Sequence, residues 1–241
     1  MPTTRSTAGI PAPLLEDLRE LGTAAVTNAI EGFSVRMKNE GFTDARITAR
    51  VLTAPTMVGH AVTLRLRSGG PAMDGHRYLE GTQWWDALLT VPAPRVLVVQ
   101  DLDAGASAGS FVGQIHAAIL RVLGVVGLVT DGAVRDLGEM EAMKFPVFSG
   151  SVSVSHAYAH IVEIGAEVEV AGLKVSSGDW LHGDRHGVVS IPPSIAALIP
   201  EVAREAIALE RELLAACQDP AATPEHLRRL LEARTVTPRH D

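Results

Sequence analysis

Arg135 and Asp136 stand side by side at the end of the run GLVTDGAVRD, residues 127–136. A planar guanidinium forks onto a carboxylate, and an adjacent carboxylate can hold a hard cation that keeps most of its waters and asks for only one or two protein oxygens. Elsewhere on a helix such a pair is a surface pair worth roughly 0–1 kcal/mol. Position singles this one out. The apolar run VVGLVT (125–130) predicts a strand, Asp131-Gly132 a tight turn, and Ala133–Met143 a helix. The pair then falls in the first turn of a helix beyond a strand's carboxyl end, where open α/β sheets bind ligands. Just upstream, the loop GASAGSFVG (105–113) leads into a predicted helix over Gly113–Leu123. Backbone N–H groups at such a helix start suit a carboxylate or phosphate, although many such loops are merely turns.

Other polar clusters compete for a role. His156 and His160 stand four apart and could share a helix face as metal ligands, but no Glu follows His156 in the HExxH manner and VSHAYAHI reads equally as a packed amphipathic turn, the favoured reading. His182, Asp184, Arg185 and His186 lie in a polar loop in which Asp179 and Asp184 are expected to fix turns. Glu139, three residues after Asp136, would face the same side of its helix and either hold a metal-bound water or be solvated. The segment Met73–Trp85 carries His76, Arg77, Trp84 and Trp85 and suggests a subunit contact or a pocket rim rather than chemistry.

The elements that must position these residues alternate. A loose arm over the opening residues gives way after Pro13 to a helix marked by Leu14, Leu18 and Leu21, and Ala24–Ile30 continues as a second helix. Met57–Arg67 alternates like a half-buried strand, whereas Arg95–Gln100 reads as a buried one. Ile115, Ile119, Val122 and Leu123 give the helix after Gly113 one apolar face. Phe145–Phe148 makes a further strand, residues 151–191 are β-rich, and two amphipathic helices follow Pro192-Pro193. Strand and helix in this order predict a largely parallel α/β core. The expected division is a flexible arm over 1–13, an α/β domain over 14–193 and a helical extension over 194–241.

Composition narrows the partners. The 241 residues are 46% hydrophobic, enough for a sizeable core, with a net charge of −7 and no basic run able to follow a phosphate backbone, so nucleic acid is not an expected partner. The single cysteine, Cys217, has no internal disulfide partner, which fits a reducing compartment. No continuous apolar stretch suggests a leader or a membrane span, and the cytoplasm is the expected address.

Gly113-Gln114 followed by Arg135-Asp136 within GLVTDGAVRD resembles the signature of the RraA-like family, with Met57–Thr63, Phe145–Phe148 and Gly172–Pro192 matching its other landmarks over roughly residues 14–193. That family includes metal-dependent 4-hydroxy-4-methyl-2-oxoglutarate and 4-carboxy-4-hydroxy-2-oxoadipate aldolases and a regulator of ribonuclease activity. The resemblance implies a swivelling β/β/α fold with a mixed central sheet and C-terminal helices, assembled as a homotrimer or homohexamer with sites between subunits. It implies that Arg135 binds the carboxylate and keto oxygen of a pyruvate moiety, that Asp136 holds Mg²⁺ or Mn²⁺, and that backbone N–H groups after Gly113, at Gln114, Ile115 and His116, complete the substrate clamp. The implied activity is that of a lyase cleaving a carbon–carbon bond in a 2-oxo acid, by aldol cleavage or oxaloacetate decarboxylation. Gln114 departs from the pattern, because the aldolases carry an acidic residue there as the base for the C4 hydroxyl proton. A carboxamide has no useful basicity. That leaves decarboxylation the better-tolerated reaction, makes His116 or a neighbouring subunit the alternative source of a base, and keeps a non-catalytic regulatory role as the rival reading.

Overall fold

The computed structural model describes residues 9–75, 78–79, 81–105 and 109–233. Helices α1 (Ala12–Arg19) and α2 (Thr23–Gly32) precede a short β1 (Thr48–Ala49) and the long β2 (Met57–Arg67). Then come α3 (Trp85–Leu89), β3 (Arg95–Asp101), β4 (Ser110–Val112), α4 (Gln114–Val122), β5 (Val125–Val134), α5 (Leu137–Ala142) and β6 (Val147–Val152). Short strands follow: β7 (His160–Ile164), β8 (Val168–Val170), β9 (Leu173–Val175), β10 (Trp180–Asp184) and β11 (Gly187–Ile191). Helices α6 (Ile199–Gln218) and α7 (Pro224–Ala233) come last.

The main sheet runs β1-β6-β5-β3-β2-β10-β11, with β4 also on β5 and β7 also on β2. Its centre is parallel: β2 with β3, β3 with β5, and β5 with β6. Antiparallel partners at both ends make it the mixed sheet that was expected. The apolar runs are continuous because both faces are covered. Along β3, Leu97 and Val99 join Leu120 of α4 and Met140 of α5 in one core, while Val96 and Val98 join the β8–β9 hairpin in another. A third core seats α1, α2 and α6 on β10 and β11 through Leu18, Ile30, Val189 and Ile199. Ile10, assigned by sequence to the loose arm, is seated there as well, its N–H donating to His60 Nε2 at 3.2 Å.

The segment that carries Arg135 and Asp136 departs from expectation. Asp131-Gly132 is not a turn and no helix starts at Ala133, because β5 continues to Val134 through a bulge whose pairing with β6 slips between Thr130 and Ala133. Side chains hold the bulge: Gly132 N–H donates to Thr130 Oγ1 at 3.0 Å, and Asp101 N–H donates to Asp131 Oδ1 at 2.7 Å. On the neighbouring strand, a Cβ on Gly150 would sit 2.2 Å from the Asp131 carbonyl oxygen, so only glycine lets β6 pass. The predicted strand Phe145–Phe148 is likewise displaced to Val147–Val152.

Candidate functional site

The extra length of β5 decides where Arg135 goes. Its N–H donates to the Val112 carbonyl at 3.2 Å, tying the end of β5 to β4 and to the start of α4. Asp136 then takes the left-handed conformation, φ 57° and ψ 44°, which a short polar side chain tolerates, and turns the chain into α5. The pair therefore precedes the helix instead of occupying its first turn. Asp136 Oδ2 accepts the N–H of Gln114, the first residue of α4, at 2.9 Å.

Gly113 caps that helix with extended backbone, and a Cβ there would lie 2.4 Å from Asp136 Oδ2 and 3.0 Å from Arg135 Nε. Absence of a side chain at Gly113 is what lets the two segments meet. Of the N–H groups at this helix end, that of Gln114 is spent on Asp136, whereas those of Ile115 and His116 have no acceptor within the helix. Arg135 Nε lies 3.6 Å from Asp136 Oδ2 and is buried without a hydrogen-bond partner among the described residues. Structure thus gathers Gly113, Gln114, Ile115, His116, Arg135 and Asp136 at one junction, with the Ile115 side chain itself exposed.

The donor set bears on a metal. Asp136 has one oxygen engaged by Gln114 and the other without a hydrogen bond from the described residues. No group of three or more His, Cys, Asp or Glu able to hold a metal exists among the described residues. One open carboxylate oxygen fits a hard cation that keeps most of its waters, and does not fit a cation that needs a closed set of nitrogen or sulfur ligands. Glu139 is exposed on α5.

His116 stacks on Phe111, with centroids 5.3 Å apart and planes at 29°. Burial lowers its pKa, and the charges of His156 and Arg135 lower it further. The same imidazole lines a cavity of about 580 Å³ whose wall includes Trp84, Phe111, His156, Tyr158 and His160. His156 and His160 do not share a helix face: His156 lies in a turn, its Nδ1 3.1 Å from the Ser110 carbonyl, and His160 opens β7. They meet instead across this cavity. Trp84, named by sequence as rim or contact, is 4% exposed and belongs to both core and cavity wall, while His76 and Arg77 lie outside the described residues. Sequence reasoning overlooked Phe111, the one aromatic residue in a Gly/Ala/Ser loop.

Around residues 179–186, structure places turn-fixing and capping groups. Asp179 Oδ2 accepts Ser176 N–H at 2.8 Å, and Asp184 accepts the N–H groups of Thr23 and His186 at 2.8 and 2.9 Å. His182 is fully buried between Thr23 Oγ1 and the Leu18 carbonyl, at 3.0 and 2.9 Å. Beside the β8–β9 hairpin a polar cavity of about 600 Å³ has Arg46, Gln100, Asp131 and Glu169 in its wall.

A family model described as RraA-like, Aldolase/RraA, matches residues 23–190, more than half of the chain. The chain belongs to that family. A relative from Halalkalibacterium halodurans with the provisional name 4-hydroxy-4-methyl-2-oxoglutarate aldolase is 34% identical over 101 residues, covering 42% of this chain and 48% of its own length. The match thus spans about half of that relative. An uncharacterized protein from Pseudomonas syringae pv. tomato has a similar structure, with a TM-score of 0.72 at 21% identity over 95% of this chain and 99% of its own. An unusual member of the RNase ES inhibitor RraA protein family from Streptomyces coelicolor follows at 0.64 and 20% identity, over 88% and 99%. These likenesses establish an RraA-like fold. Among the described residues no helix is long and apolar enough to cross a membrane.

Proposed function

We propose that this RraA-like protein is a divalent-metal-dependent lyase that breaks a carbon–carbon bond in a 2-oxo acid by stabilising the pyruvate enolate left behind. The observation that carries this reading is the Arg135 guanidinium, whose buried Nε lacks a partner among the described residues, held beside Asp136 and the first N–H groups of α4. A guanidinium takes a carboxylate and a neighbouring oxygen through parallel N–H bonds. The N–H groups of Ile115 and His116, at the positive end of α4, add donors for the same anion. Asp136 would hold the cation, and Mg²⁺ or Mn²⁺ bound there would supply Lewis acidity toward the 2-oxo carbonyl. A homotrimer or homohexamer with sites between subunits, in the cytoplasm, completes the reading.

Within this clamp Gln114 presents a carboxamide and a spent N–H, so it takes no proton. Oxaloacetate decarboxylation needs none taken from a hydroxyl, because the electron pair of the breaking bond passes to the enolate as carbon dioxide leaves, and a proton later returns to C3. Aldol cleavage needs an acceptor for the C4 hydroxyl proton, and His116 is the one titratable side chain in the first turn of α4 able to accept it. Titration of oxalate, a planar mimic of the enolate, into wild type and Arg135→Ala tests the clamp: binding is expected in the first and loss in the second, and equal binding contradicts it. The rival reading, a regulator without catalysis, is favoured by Gln114.

A further inference from the structure

A pyruvate fragment occupies only the clamp, yet the cavity beside it measures about 580 Å³, within the range that encloses far larger ligands. The cavity adjoins the clamp through His116, which lines it and stands in the first turn of α4. Its walls are rings. Phe111 neighbours both His116 and Trp84, the latter at 6.1 Å between centroids, and Tyr78 lies 5.0 Å from His160. No Asp, Glu, Lys or Arg is among the described residues that line it. One polar atom in this wall, His160 Nε2, is buried without a hydrogen-bond partner among the described residues.

Such a wall favours a flat apolar group, which gains both burial and ring-on-ring contact. A second carboxylate would lose water there and meet no Lys or Arg among the described residues of the wall. Burial lowers the pKa of His116, which favours its neutral form. We propose, resting on the 2-oxo acid reading above, that this cavity receives a planar ring at the far end of the substrate, so that the natural substrates are 2-oxo acids ending in a ring rather than in a second carboxylate. A ring carrying a hydrogen-bonding group also offers a partner to His160 Nε2.

Calorimetric titration of the whole protein in the presence of Mg²⁺, with 2-oxobutanoate and with 2-oxo-4-phenylbutanoate, tests this without turnover. The phenyl compound is expected to bind roughly tenfold tighter or more, as burial of a ring predicts. In Ala159→Phe, which adds a side chain to the cavity wall, the ratio of the two affinities should fall toward one. Independently of any variant, the bound phenyl protons should show nuclear Overhauser effects to the rings of Trp84 and Phe111. Equal affinities, a ratio unmoved by Ala159→Phe, or absence of those effects overturns the proposal and leaves the clamp intact. Failure of both compounds to bind overturns the 2-oxo acid reading together with it.

Discussion

Asp136 Oδ2 accepts the backbone N–H of Gln114 at 2.9 Å, so the carboxylate at the end of the β5 segment also closes the open end of α4. One oxygen thereby fixes where the Arg135 guanidinium, the second Asp136 oxygen and the N–H groups of Ile115 and His116 stand relative to each other. The contact depends on Gly113, where a Cβ would fall 2.4 Å from the same oxygen.

Gly113→Ala is therefore expected to push Asp136 and Arg135 away from α4 while the backbone at position 113, already extended, accepts alanine. Oxalate affinity should fall roughly tenfold or more, because charged hydrogen bonds of this kind are worth about 1.5–3 kcal/mol. Thermal unfolding should show a folded protein. Affinity equal to wild type would mean that the close approach at Gly113 does not set the clamp.

Arg135→Lys keeps the charge and removes the fork. Affinity for oxalate or pyruvate should weaken by about 1–3 kcal/mol, measured by calorimetry. Equal affinity in variant and wild type would remove Arg135 from the clamp.

Much of this fold was legible in the chain, and the exceptions have one cause. Runs such as VVGLVT and RVLVVQ announced buried strands because both faces of the sheet are covered, and the apolar spacing after Gly113 announced α4. Asp131-Gly132 misled, since locally that dipeptide is a turn signal. What makes it a bulge is the N–H of Asp101 and the crossing of Gly150, neither of which is local in sequence. The same holds at the site. Arg135 and Asp136 were visible as a pair, but the bond from Asp136 to Gln114 and the cavity shared by Trp84, Phe111 and His156 join segments far apart along the chain.

Asp131 gives a pH-dependent prediction. Burial, helped by the charge of Asp101, raises its pKa from 3.8 to about 6. The folded protein thus holds a proton there that the unfolded chain has lost, so this group's contribution to stability falls as pH rises from about 4 and its cost is complete above about 6. Asp131→Asn keeps an acceptor for Asp101 N–H and removes the charge. Its melting temperature should exceed that of wild type at neutral pH, by about 2–4 °C for each kcal/mol that the buried charge costs, and the gain should vanish near pH 4. A gain of equal size at both pH values would contradict the cause assigned to the shift.

Gln114→Glu restores a group able to take a hydroxyl proton. Cleavage of 4-hydroxy-4-methyl-2-oxoglutarate should rise by about 10²–10⁴-fold, the contribution of a positioned base, while oxaloacetate decarboxylation moves far less. Fast cleavage by the wild type would show that another group, His116 foremost, already serves as base.

The central claim is that Arg135 and Asp136 form a metal-dependent enolate-stabilising centre, and pyruvate release from oxaloacetate tests it most directly. Wild type and Asp136→Asn are compared with Mg²⁺ and with EDTA, each corrected for the metal-catalysed reaction without protein. Asparagine can still accept the Gln114 N–H but is a poor ligand for a hard cation. Wild type should release pyruvate in a Mg²⁺-dependent manner, abolished by EDTA and by Asp136→Asn, with both proteins equally folded. Release by wild type no faster than the protein-free control, or equal release by Asp136→Asn, would contradict it.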